Sequence, residues 1–200
     1  MCGTTGGAVS ARSWKGALLV ALIVVPAAAC TPPAVPERPL PDYDADSAAV
    51  FDDEIDPAAV GLALEPSAPP MTDLKLRQRV QTADATVRVR VQTVTEKHEE
   101  KGTSYVIGLR REEVFGGAFP PDETFQVHVG TSGPSHGVVN SFESRLVGRT
   151  FVATVRQFAH ATGAGGAGSG DEHDLHFHFY TDDAKTAEAV KSAFALSSFR

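Results

Sequence analysis

Five segments between Ala85 and Tyr180 alternate apolar and polar residues with a period of two, and nothing else in the sequence restricts the fold as tightly. In ATVRVRVQ, Val87, Val89 and Val91 share one parity while Arg88 and Arg90 take the other. Tyr105, Ile107 and Leu109 repeat the pattern, as do Phe125, Val127 and Val129, and then Leu175, Phe177 and Phe179. Successive side chains of an extended chain point to opposite faces, so each run reads as a strand with one buried and one wetter face. TFVATVRQF departs from this: Phe151 and Val155 oppose Val152 and Phe158, which predicts a strand buried on both faces.

Two segments follow helical spacing instead. Val138, Val139, Phe142 and Leu146 predict a short helix between the third and fourth strands, with Gly148 as its C-terminal cap. After the fifth strand, Thr181 is placed to cap a helix whose first turn holds Asp182 and Asp183 and whose apolar face is Ala184, Ala187, Val190 and Phe194. The result is a mainly β (α+β) domain whose five antiparallel strands hide their edges by closing into a barrel. This order over Ala85 to Tyr180 resembles the OB-fold, a five-stranded Greek-key barrel with a helix between strands three and four. YVIGLRREEVFGG, Tyr105 to Gly117, is also similar to the second strand of netrin-type barrels, an OB variant of protease inhibitors and secreted modules. Netrin-type modules carry a disulfide framework that this chain, with its two cysteines, lacks, so the likeness implies the barrel alone.

The first 72 residues follow other rules. Arg12 and Lys15 precede an apolar run, Ala17 to Val25. It is too short for a hydrocarbon core of ~30 Å, which takes roughly 20 residues. With the small residues Ala27 to Ala29 ahead of Cys30, residues 1–29 have the three-part layout of a secretory signal. Ala27, Ala28, Ala29 and Cys30 resemble the lipobox of bacterial lipoproteins, with Ala27 where that family usually has Leu. The resemblance implies cleavage before Cys30 and a lipid anchor at Cys30. Thr31, in place of an inner-membrane aspartate, implies the outer membrane of a Gram-negative bacterium. Ala27 and Ala29 also satisfy the small-x-small rule of ordinary signal cleavage, which would secrete the protein by cutting the same bond. Cys2 leaves with the signal either way, so Cys30 is the single mature cysteine in a compartment that permits disulfides. A solitary cysteine at the first mature position fits lipidation.

Residues 30–72 read as that lipidated cysteine followed by a disordered, proline-rich acidic tether. Thr31 to Pro70 holds nine of the thirteen prolines, and Thr31 to Thr72 holds nine acidic residues against Arg38 alone. Missing donors and self-repulsion disfavour regular structure there. AAVFDDEIDPAAVGLAL, Ala48 to Leu64, sets Val50, Phe51 and Ile55 among the acids and reads as solvated linker or as a motif that orders on a partner. From Asp73 onward sixteen acidic residues meet fifteen basic ones, so the barrel domain, 73–200, is close to neutral although the whole chain carries a formal charge of −7.

Motifs that suggest chemistry mostly fail on context. GAGGAG, Gly163 to Gly168, matches a dinucleotide fingerprint but runs into acidic residues and a strand rather than a helix, so it reads as a hairpin loop. SGPSHG sets Ser132 and Ser135 near His136 without a nucleophile elbow, and reads as a turn. His173, His176 and His178 form the one cluster with ligand character. His176 and His178, two apart on a strand, share a face, Asp171, Glu172 and Asp174 could add oxygen donors, and OB-type strand order brings His128 near the same strand. Arg88, Arg90, Arg110 and Arg111 could make a basic patch, but Glu112 and Glu113 beside them point to cross-strand ion pairs and away from nucleic acid. The expectation is a non-catalytic envelope lipoprotein without cofactor, anchored in the membrane and presenting a small binding barrel on a flexible tether to an envelope protein or glycan. The alternative is a metal-binding or metal-dependent hydrolytic envelope protein holding zinc or another divalent transition metal on the histidine cluster.

Overall fold

Alternation over β-branched and aromatic residues gives extended chain wherever one face can be buried. The computed structural model describes residues 39–62, 68–117, 122–159 and 173–197, without the side chains of His173 and Ser197. Its strands are β1 (Glu54–Ile55), β2 (Ala85–Glu99), β3 (Gly102–Gly117), β4 (Thr124–Val129), β5 (Thr150–Ala159) and β6 (His173–Thr181). The helices among the described residues are α1 (Ala45–Val50), α2 (Leu74–Thr82), α3 (His136–Leu146) and α4 (Ala184–Ser197). None of them is long and apolar enough to cross a membrane.

The six strands form one sheet in the order β1-β6-β5-β2-β3-β4. The five alternating segments pair antiparallel, as expected. The sixth strand corrects the expectation of a purely antiparallel sheet: β1 runs parallel to β6, with Glu54 opposite His178 and Ile55 opposite Phe179. Register shifts along β2 and β3, between Thr86 and Val87, Arg88 and Val89, and Val91 and Thr93, mark bulges that bend and twist the long hairpin. The curled sheet brings β4 back to within 8 Å of β6, measured between Cα atoms.

The inner face carries the parity read from the sequence. Val87, Val89, Val91, Ile107, Leu109, Val127, Phe151, Val155, Phe177 and Phe179 are all buried there, closed by Val139 and Leu146 of α3. Each such side chain contributes roughly 1.5–3 kcal/mol by leaving water. On the outer face α2 and α4 cover Val152 and Tyr180 with Leu76, Val80, Ala189, Val190 and Ala193. Covering both faces of β5 explains why TFVATVRQF breaks the alternation.

Local details differ from expectation where a neighbour intervenes. Thr181 ends β6, and Asp183 caps α4 by accepting from the Thr186 N–H at 2.8 Å. The buried face of α4 therefore runs through Thr186, Ala189, Val190 and Ala193. Gly148 has a left-handed φ of 83°, yet its N–H donates to Val91 O at 2.8 Å rather than to α3, so it splices the helix to β2 instead of capping it. Gly117, at φ 88°, ends β3 where an added Cβ would lie 2.0 Å from Asp84 O. α2 was hidden by its polarity: of LKLRQRVQT only Leu76, Arg79 and Val80 are buried, beneath an Asp73 cap that accepts from Lys75 N–H at 2.8 Å.

The largest correction concerns the tether. Over 39–62 the chain is folded against the sheet: Phe51, Ile55 and Val60 are 1%, 0% and 2% exposed. Its prolines stand where no donor is needed, Pro57 opening a 3₁₀ turn (Pro57–Val60) and Pro41 offering its carbonyl to Ala159 N–H at 2.9 Å. Cys30 and the rest of residues 1–38 lie outside the described residues, as do 63–67 and the GAGGAG loop.

Candidate functional site

A network of partly buried polar groups lies where residues 39–62 cross β6. Phe51 packs edge-on against Phe158 on the outer face, with centroids 6.0 Å apart, whereas Ile55 joins the inner core. The chain thus passes around the free edge of β6 between these two residues, and β1 is that crossing. Its hinge is Asp53, the one non-glycine residue at positive φ (54°) among those described. Such a conformation costs about 1–2 kcal/mol, which the surroundings must offset. They do so through every polar group Asp53 owns. Its N–H donates to Phe177 O at 3.0 Å, its carbonyl accepts from Ser135 Oγ at 2.6 Å, Oδ1 accepts from Phe177 N–H at 3.1 Å, and Oδ2 lies 2.8 Å from His176 Nδ1. Ser135 also accepts from Ile55 N–H at 2.6 Å, so its hydroxyl brackets the crossing from both sides.

Asp52, one residue earlier, serves the neighbouring histidine. Its Oδ1 lies 2.7 Å from His178 Nδ1, and its Oδ2 accepts from Arg79 at 2.6 Å. Arg79 is 3% exposed and also donates to Tyr180 OH at 2.8 Å and to Val50 O at 2.5 Å. Burial alone would raise the Asp52 carboxyl, but the His178 hydrogen bond and the charges of His178 and Arg79 outweigh it and hold the group below the usual carboxylate range. The Tyr43 ring stacks on His176, 3.5 Å between centroids and 7° between planes, and its hydroxyl donates to Phe51 O at 2.6 Å. Burial, then the charges of Asp53 and Asp52, push the Tyr43 phenol well above its ordinary range; burial does the same to Tyr180 against the opposing charge of Arg79. Both phenols stay protonated at any physiological pH, Tyr43 donating to Phe51 O and Tyr180 accepting from Arg79.

His176 and His178 therefore share a face, as their spacing predicts, and the carboxylates that meet their Nδ1 atoms, Asp53 and Asp52, come from the chain 123 and 126 residues earlier. Among the described residues, the group with metal-like convergence is Asp52, Glu54 and His178, whose ligand atoms lie within 4.8 Å of one another. Neither His176 nor His128 belongs to that group. His128 stands on β4 opposite Val106, where desolvation and then Lys97 lower its pKa while Asp174 and Glu99 oppose them. The side chain of His173, with Asp171 and Glu172, lies outside the described residues.

The other motifs are absorbed structurally. Ser135 is fully buried in the bracket just described, and His136 Nε2 is 2.9 Å from Thr103 O, so SGPSHG is an anchoring turn. Arg88 pairs with Glu113 and, at 2.8 Å, with Asp182; Glu112 pairs with Arg90 at 2.5 Å and Arg110 at 3.5 Å. Arg88–Glu113 and Arg90–Glu112 are the cross-strand ion pairs the sequence suggested, whereas Arg110–Glu112 lies within β3 and Asp182 follows β6. An open depression of about 260 Å³ lies among Gln92, Thr93, Gly108, Thr124, Phe125 and Gln126, with no titratable side chain in its lining. No protein-family model, curated protein or solved structure compared with this chain matches it.

Proposed function

We propose that this protein is an exported lipoprotein that is not an enzyme, and that it presents an OB-like barrel as a binding module at the outer membrane of a Gram-negative bacterium. The observation that carries the anchor is Cys30, the one cysteine left after the signal and the first residue of the mature chain. A processed lipoprotein carries several acyl chains, each buried CH₂ contributing ~0.8 kcal/mol, which makes such an anchor stable. The barrel reading is supported by the strand order β6-β5-β2-β3-β4, by α3 between the third and fourth of these strands in sequence, and by the return of β4 toward β6. The binding reading is supported by what the titratable groups do. His176, His178, Asp52 and Asp53 hold one another, and the open depression is lined by neutral polar side chains, Gln92, Thr93, Thr124 and Gln126. An open polar surface suits an envelope protein or glycan better than a small molecule, which pockets enclose.

Metabolic labelling with an alkyne fatty acid tests the anchor: wild type is expected to incorporate the label, Cys30→Ala to lose it, and equal label in both overturns the proposal. A second reading, divalent cation binding, is favoured by the convergence of Asp52, Glu54 and His178 within 4.8 Å. Arg79 already supplies a positive charge 2.6 Å from Asp52, so a cation there would compete with it. Zinc titration followed by calorimetry decides this reading, which requires stoichiometric binding that Glu54→Ala abolishes.

A further inference from the structure

We infer that residues 39–62 act as a strap that shortens the lipid anchor, so that the Pro39 to Tyr43 corner of the barrel faces the bilayer and the tip of the β2–β3 hairpin faces away. This rests on the lipid-anchor reading and replaces a long reach with a short one.

The first fastened residue among those described is Pro41, whose carbonyl takes the Ala159 N–H, and Asp42 bridges to Ala159 in a parallel sense. Tyr43 on His176, Phe51 on Phe158 and the two Asp–His pairs then hold the strap along the outer face of β6. Pro41 stands eleven residues after Cys30. At ~3.3–3.6 Å per residue, eleven residues reach at most about 40 Å whatever their conformation. An unfastened chain up to Thr72 would average roughly 35 Å as a coil and could extend several times farther.

The sheet fixes which end is held. Ala159 closes β5, and pairing of Ala85 with Val155 sets that end of β5 beside the start of β2. The hairpin turn, Glu99 to Gly102, lies at the other end of β2. Fourteen residues of strand separate Ala85 from Glu99, roughly 45 Å along the chain before bending. The held corner exposes Leu40, flanked by Pro39 and Pro41, a small apolar group that fits the boundary of a lipid surface. Asp42, Asp44 and Asp46 are also exposed there, so chain length rather than charge attraction keeps the corner near the membrane.

The test uses the acylated protein in phosphatidylcholine vesicles. Acylation blocks Cys30, so Ala45→Cys and Lys101→Cys each supply a single thiol for a donor dye, and acceptor-labelled lipid reports proximity. Flotation of the same vesicles reads the anchor separately. Transfer from position 45 is expected to exceed that from position 101 at least threefold. Inserting 24 Gly/Ser residues after Thr31 is expected to lower the transfer from position 45 at least twofold. Equal transfer from both positions, or no effect of the insertion, in protein that floats overturns the strap inference while leaving the anchor intact. Protein that does not float overturns the anchor reading and the inference with it.

Discussion

Two adjacent carboxylates fasten this domain, and they do so by different means. Asp52 neutralises a guanidinium that is 3% exposed, so Asp52→Ala leaves Arg79 buried with only neutral acceptors. The expected loss is about 3 kcal/mol in urea unfolding. The pH dependence follows from the same contact. The folded carboxyl lies below its usual value of ~3.9, so its contribution is complete above that pH and disappears as pH falls through the folded value. The stability gap between wild type and Asp52→Ala should therefore close as the pH falls below ~3.9, and a gap that stays open in that acid range contradicts this assignment. Asp53 instead satisfies backbone, and its bracket is Ser135, fully buried between Asp53 O and Ile55 N–H. Ser135→Ala strands both groups and should cost about 2 kcal/mol, with no change in fold by circular dichroism.

At the scale of elements, the five strands were legible because their period is local: Val87 and Val89 announce a buried face whatever lies opposite. β1 was not legible. It is a two-residue strand in an acidic, proline-rich stretch, and its Ile55 is buried only because Phe179 and the inner core are there to receive it. Hydrogen exchange separates strap from tether directly. The amides of Asp53 and Asp56 donate to Phe177 O and Phe179 O, and should exchange at least a hundredfold more slowly than an unstructured peptide of the same sequence. α2 was hidden for a similar reason. Arg79 sits on its buried face with Leu76 and Val80, and an arginine on an apolar stripe was the available hint of a buried ion pair. At the end of β3, Gly117→Ala would combine a φ of 88° with a Cβ 2.0 Å from the Asp84 carbonyl. Backbone cannot rotate aside as a side chain can, so a loss of about 3 kcal/mol or more in thermal or urea unfolding is expected.

At the scale of the whole molecule, removing residues 39–62 should expose Phe158, His178 and one edge of β6 together. A chain starting at Ala68 is expected to bind a hydrophobic dye or self-associate where the chain starting at Pro39 does not; a well-folded monomer of the shorter chain would mean that the strap is dispensable. The sequence by itself determined the strands, their inner and outer faces, the double burial of β5 and the cross-strand arginine pairs, because each depends on residues near in sequence or on a simple hairpin register. Only the tertiary structure decided that the acidic segment is a strap and that the histidines are its fastenings. Asp52 meets His178 across 126 residues and Ser135 meets Ile55 across 80, and composition carries no record of which distant surface a segment will find. A charge-rich stretch reads as solvated chain until partners that satisfy its carboxylates, and a groove that takes its few large apolar side chains, are brought beside it.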